Sequence, residues 1–437
     1  MSDTHAQTVT YVRDTMLPQS APPIGQTGTI RWLRENLFSS WLNAILTILS
    51  ILTVWYLFSH FFPWFYNGIW DASSLTECRE IRNATLGEDA SAACFAVISD
   101  RWQQLLFGFY PKEYYWRPVV ALVVILAGLA PVLFDNLPRK ALAFSAVSPL
   151  IAYLLLWGGS IWGPVAFALG FGVGYAVFRL LAGINGLIAI IAAIVAPLVF
   201  WLFAAGPIAS GLGSILPIGL EYIPSKDFGG FLLSIVIGFA AIFLSLPLGI
   251  LLALGRQSPL MIVNKLSVAF IEIIRGVPLI VWLFTASLLL NYFLPPGTNF
   301  DLMLRVIIMV TLFSAAYIAE VVRGGLAALP KGQYEAADAL GLDYWKAMRL
   351  IILPQALKIS IPGIVNTFIG LFKDTTLVVF IGLLDPLGLI NSIRASTDWN
   401  GIYWELYVFI GLMFFIFCFS MGRYSLYLEK KLQRENR

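Results

Sequence analysis

The chain has 437 residues, 59% of them apolar and only 12% charged, against about 25% charged in an ordinary soluble domain. That composition excludes a water-soluble single core, and at about 20 apolar residues per spanning helix it supplies about ten membrane crossings. The net charge of +3, from 28 Lys and Arg dispersed among 25 Asp and Glu, excludes a nucleic-acid-binding face.

Taken in chain order, residues 1–40 are polar, contain Pro22 and Pro23, and read as a cytoplasmic tail rather than a cleaved signal, because no apolar run leads to a small-residue cleavage site. Apolar runs follow at 41–62, 118–134, 141–158, 163–181, 184–205, 230–254, 277–294, 302–322, 361–382 and 403–422. The expected fold is an all-α integral membrane protein of about ten transmembrane helices. Cytoplasmic segments retain Lys and Arg. Starting inside, alternate segments hold nineteen of these residues and the opposite side seven, with Arg305 and Lys373 inside spans. Both termini are therefore expected in the cytoplasm, and residues 63–117 form a long external loop.

That loop holds Cys78 and Cys94, which an external location permits to pair; a bond and two free thiols both remain open here. A bond closing such a loop would contribute about 3 kcal/mol in the chain-entropy model. Cys418, in the last run, reads as a small packing residue. Three cysteines and two histidines offer no metal-ligand spacing, so no metal site is expected. Neither G-x-x-x-x-G-K-[ST] nor G-x-G-x-x-G occurs, so nucleotide energy must come from another chain.

Residues 41–226 have almost no intramembrane charge, whereas 227–430 hold every charged pair found in or beside a span. Within that second block, 324–359 is far longer than a turn requires. Gln333 to Leu340 are good helix formers. Gly341 can take the left-handed conformation that ends a helix, Asp343 can cap a second helix running to Leu353, and Pro354 interrupts the run. Glu335-Ala336-Ala337, Gly341, Ile351 and Leu353-Pro354 at this spacing resemble the EAA loop of ABC-importer permeases. The resemblance implies a type I (MetI-like) permease core over 227–430. In that family the loop sits in a cleft of a separate ATPase, which binds ATP and magnesium, so none is expected on this chain. An amphipathic helix on the lipid surface is the competing reading of the segment.

Two further passages resemble the polar amino-acid branch of those permeases: Glu272-Ile273-Ile274-Arg275-Gly276 and Glu320-Val321-Val322-Arg323-Gly324. Positions three apart share a helix face, so Glu272 with Arg275 and Glu320 with Arg323 are expected to pair. In the ninth run, Lys373 and Asp374 lie well inside the span. A charge there costs about 2.5 to 3.5 kcal/mol on insertion scales, so it should face a wet cavity or a partner. Lys373 and Asp374, with Asn366, Thr367, Thr375 and Thr376 as neutral neighbours, suit the two charges of an amino-acid zwitterion, and a structural or subunit-interface charge pair fits equally well.

Five spans ahead of the core resemble the long permease subunit of general L-amino acid importers of the bacterial inner membrane. The resemblance implies a second permease chain, the ATPase and a periplasmic binding protein as partners, an L-amino acid as cargo, and no chemistry on this chain. An ion-coupled secondary carrier would need inverted repeats, and a membrane-embedded enzyme a nucleophile or metal constellation; the sequence offers neither convincingly.

Overall fold

In the computed structural model, residues 28–134, 136–184, 186–289, 292 and 301–435 are described. They fall into two compact units, Met1–Ile69 with Ile81–Ala93 and Trp70–Glu80 with Cys94–Arg437.

The first unit contains α1 (Gly28–Asn36) and α2 (Trp41–Tyr66). Ser40 starts α2 by accepting a hydrogen bond from the Asn43 amide at 3.2 Å. No side chain of α2 is buried, and its hydroxyls satisfy themselves on nearby carbonyls, Thr53 on Leu49 and Ser59 on Tyr56 within the helix and Thr47 on Leu37 just before it. A helix that satisfies its polar groups locally and is apolar on every side is built for hydrocarbon.

In the second unit, Cys78 of α3 (Leu75–Leu86) is disulfide-bonded to Cys94, ahead of α4 (Ala96–Phe107); of the two readings left open, the bond is the one realised. The Cys94 amide donates to the buried Glu405 carboxylate at 2.9 Å, and the fully buried Trp399 indole donates to Asp100 at 2.8 Å. The segment between the first two spans is thus packed against the loop that precedes the last one.

Helices α5 (Trp116–Leu133), α6 (Leu142–Trp157), α7 (Trp162–Leu181), α8 (Gly186–Val199) and α9 (Ala205–Ile215) follow. The π turn Phe200–Ala204 joins the last two. Small residues set their approach: a Cβ on Gly170 or Gly174 would collide with Trp201 or Pro197. Strands β1 (Gly159–Ser160) and β2 (Gly219–Leu220) pair antiparallel, Gly159 opposite Leu220. Trp157 reinforces that strap, donating its indole N–H to Ser225 at 2.9 Å and accepting the Ile223 amide at 2.8 Å.

The remaining elements are α10 (Gly230–Arg256), α11 (Met261–Gly276), α12 (Leu279–Phe284), α13 (Leu302–Ala327), α14 (Lys331–Ala339), α15 (Tyr344–Ala347), α16 (Leu353–Asp374), α17 (Pro386–Arg394) and α18 (Trp404–Glu435). One apolar cluster joins α10, α12 and α13 through Leu233, Ile237, Leu283, Val306 and Val310. A second joins α10, α11, α13 and α16 through Ala253, Ile271, Ile318, Val322 and Ala356.

Among the described residues, nine helices are long and apolar enough to cross a membrane, or up to ten if one bent pair counts as a span. The fold is all-α, as the apolar runs imply. Two runs differ from expectation. The 184–205 run extends to Ile215 because the π turn absorbs an extra residue without breaking the helix. The 277–294 run is helical over Leu279–Phe284 and a π turn over Thr285–Leu289, its residues 290, 291, 293 and 294 lying outside the described residues. This run forms the bent pair with α11, 101° apart.

Asp385 caps α17, its Oδ1 accepting the Gly388 amide at 2.8 Å, while its Oδ2 is buried with no hydrogen-bond partner among the described residues. Burial pushes this carboxyl up to about 6 against the pull of its backbone amides. A carboxyl raised on folding stabilises the native state fully below its unfolded pKa and progressively less as pH rises through the folded one. The thermal midpoint of the detergent-solubilised protein is therefore expected to fall between about pH 4 and 6.5, and Asp385→Asn, which keeps a capping oxygen, to flatten that part of the profile.

Candidate functional site

Beyond the end of α13, the chain turns at Pro330 into α14, where Ala337 is buried and Glu335 and Ala336 are exposed. Gly341 has φ of +68°, the left-handed value at which a Cβ meets the backbone. Asp343 then caps α15 by accepting the Lys346 amide at 2.9 Å. Hydrogen bonding to Lys346 holds the Asp343 carboxyl below the usual carboxylate range. Helix, left-handed glycine and Asp cap thus fall where the sequence puts them.

The expected stop at Pro354 does not occur. Pro354 occupies the first turn of α16, and a π turn over Met348–Ile352 carries α15 directly into it. Proline lacks the amide that would bond one turn back, and the wider turn passes over that gap. Ile351 and Leu353 are half-buried; the fully buried anchor is Ile352 between them, packed with Leu326 and Ile318. Gln355 ties the two arms together, donating to Gln333 Oε1 at 3.0 Å and to the Ile351 carbonyl at 2.9 Å. Apolar side chains stand out from it among charged ones: Leu340 is 74% exposed, Trp345 69% and Leu350 64%. Leu340 and Trp345 lie on either side of Gly341, and neither belongs to the motif that located the segment.

At the α13 end nearest this segment lies an ionic node. Glu320 accepts from Arg323 at 3.0 and 3.1 Å, and its other oxygen accepts from Arg256 at 2.7 Å. Arg256 also donates to Glu272 at 2.9 Å, and Arg275 approaches Glu320 at 3.7 Å while stacking over Tyr317. The expected Glu320–Arg323 pair is present. The expected Glu272–Arg275 pair is not: α11 lies across the ends of α10 and α13, so both residues find closer partners on those helices than on their own. Arg256 was missed because it stands 16 residues from Glu272 and 64 from Glu320, separations no helical spacing rule connects.

Along α16, Ala356, Ser360, Ile364, Leu371 and Phe372 are buried. Ile359, Pro362, Asn366 and Lys373 are exposed, and at 3.6 residues per turn Asn366 and Lys373 share one face. Phe372 packs on Gly238, which lies about 12 Å from the Gly230 end of α10 and about 27 Å from its Arg256 end. Lys373 therefore sits within the spanning thickness. Among the described residues, no ion pair or side-chain hydrogen bond holds the Lys373 ammonium or the Asp374 carboxylate. Asp374 is half-buried. Thr375 is fully buried and donates to the Phe372 carbonyl at 2.8 Å, Thr376 donates to Lys373 O and Thr367 to Gly363 O, both at 2.9 Å. Of the six expected path residues, Thr375 does not reach the exposed face, because two residues on from Lys373 it lies on nearly the opposite side of the helix.

The described residues thus form a bundle of apolar helices with an exposed apolar elbow and with Lys373 exposed on one of the spans. Residues 245–434 match the family model of the binding-protein-dependent transport system inner membrane component. The chain is 59% identical over 440 residues, the whole of both chains, to the glutamate/glutamine/aspartate/asparagine transport system permease protein BztC of Rhodobacter capsulatus. It is 40% identical over 404 residues, 92% of each chain, to the inner membrane amino-acid ABC transporter permease protein YhdY of Escherichia coli. Among solved structures, a crystal structure of an amino acid ABC transporter with histidines is 30% identical, with a TM-score of 0.41, over 45% of this chain and 90% of that one. The chain belongs to the family of binding-protein-dependent inner membrane transport components, and it is a long-chain permease subunit of an amino-acid ABC transporter.

Removing Arg256 leaves Glu272 without its ion partner and takes from Glu320, only 17% exposed, one of its three arginines. Arg256→Ala is expected to destabilise the protein by about 2 kcal/mol, and Arg323→Ala, at the exposed rim, by less than about 1 kcal/mol. Unfolding midpoints in detergent, with a double-mutant cycle against Glu320→Gln, would measure both.

Proposed function

We propose that this permease is driven by a separate ATPase that grips the elbow around Gly341, and that an amino acid crosses the membrane beside the Asn366–Lys373 face of α16. The observation that supports this best is the elbow itself: Leu340 and Trp345 stand exposed beside a left-handed glycine, with Asp343 and Lys346 at the rim, and an exposed apolar patch with a polar rim suits a protein contact. Glu335, Ala336 and Ala337 lie on the arm leading into it, and Ile351, Leu353 and Pro354 on the arm leading out. Because α16 continues that second arm without a break, a displacement of the elbow moves Lys373 with it.

In this reading ATP and magnesium are held by the ATPase, and its closure favours one of two arrangements of the core spans; only such differential binding can shift the equilibrium. A second permease chain covers the open face of α16, and a periplasmic binding protein delivers cargo to the end where Asp385 and the disulfide lie. Both termini of this chain face the cytoplasm. The cargo class is the acidic amino acids and their amides, by analogy with the named substrates of the Rhodobacter relative. The Lys373 ammonium suits a carboxylate, and its exposure without an ion partner keeps it available. Glu272, Arg275, Glu320 and Arg323 act on cargo only by fixing the helix that leads into the elbow.

Gly341→Val places a β-branched side chain at positive φ, where it is strained by about 1 to 2 kcal/mol. This variant is expected to insert normally, lose ATPase association and stop uptake; unchanged uptake in vesicles would remove the coupling role. Lys373→Met is expected to reduce labelled glutamate uptake by at least about tenfold while leaving ATPase association intact, one tenfold step being about 1.4 kcal/mol. Competition by a panel of amino acids would define the selectivity.

A further inference from the structure

Helix α11 enters the coupling reading only through Glu272 and Arg275 at its end, and most of its length is left without a role. Its 16 residues reach about 24 Å, less than the roughly 30 Å hydrocarbon thickness, and it meets the next helix at 101°, so the two cannot both run along the membrane normal. One face is committed to protein: Ile271 is buried against α10 and α13, and Ile274 is buried as well. On the opposite side, Ile262 is 70% exposed, Leu266 66% and Ile273 59%, a spacing of four and seven residues that aligns them in one stripe.

Charge borders that stripe. Lys265 is exposed and makes no ion pair or side-chain hydrogen bond among the described residues. At the far end of the helix, three arginines meet two glutamates in the node around Glu320, leaving one positive charge in excess. The Arg275 Nε within it is buried and without a hydrogen-bond partner. An apolar stripe edged by lysine and arginine, lying across the ends of spans, has the chemistry of an interfacial helix.

We propose that α11 lies in the headgroup layer on the elbow side of the membrane and binds anionic phospholipid. Ile262, Leu266 and Ile273 contact the acyl chains, and Lys265 contacts the phosphate. This rests on the membrane placement of the spans and is independent of which protein grips the elbow.

The test uses the full-length chain with Cys418→Ser, spin-labelled at Ile262→Cys or Leu266→Cys, in nanodiscs of mixed phosphatidylglycerol and phosphatidylcholine. The expected labels are open to oxygen and shielded from a water-soluble nickel chelate. Labels open to the chelate place the stripe in water, and labels closed to both place it under another protein; either overturns the proposal. In a second arm, spin-labelled phosphatidylglycerol is expected to be preferred over phosphatidylcholine, and Lys265→Glu to reduce that preference by about fivefold, the equivalent of about 1 kcal/mol per basic residue near an anionic surface. An unchanged preference, or its abolition by excess inorganic phosphate, overturns the lipid assignment.

Discussion

A charge in hydrocarbon costs about 2.5 to 3.5 kcal/mol on insertion scales, and the ions at the elbow end of the core helices are arranged so that they offset that penalty. Near the elbow the solution is mutual: Glu320 gathers Arg256, Arg275 and Arg323 from three helices, and Arg256 serves Glu272 as well. Farther into the membrane, Lys373 has no such partner among the described residues. The contrast separates a fixed structural node from a surface left open to something outside the chain.

The node also explains why the elbow is mechanically coherent. It pins the end of α13 to α10 and α11, and Ile352, Leu326 and Ile318 pack just beyond it. Gln333 and Gln355 brace the two arms of the elbow. Gly341 is the one described position of the elbow with positive φ. The π turn at Met348–Ile352 preserves helical continuity from the elbow through Pro354 into α16.

Outside the core, the long segment after α2 and the strap of β1 and β2 do related work. Cys94 is held by Glu405 at the start of α18, and Trp399 by Asp100. Trp157 ties α6 to the segment leading into α10. Within the second unit, α6 and the Cys94–Asp100 segment are thereby joined to the permease core by polar contacts, and in α7 small residues such as Gly170 and Gly174 provide the close approach.

Sequence alone determined the all-α membrane fold, nearly all the spans, the elbow and its cap, because apolar run length, a left-handed glycine and an Asp cap are local signals whose energetics depend on neighbouring residues. Local spacing also found Glu320 with Arg323. Tertiary structure decided what local spacing cannot reach: that Arg256 bridges two glutamates from distant stretches of chain, that Glu272 and Arg275 prefer other helices to each other, that Thr375 turns inward while Asn366 and Lys373 face out, and that Pro354 is accommodated by a widened turn. Cys78 and Cys94 could be bonded or free until the fold placed their Cα atoms 6.0 Å apart. Each of these depends on which helix ends meet in space, and that is set by packing over the whole bundle.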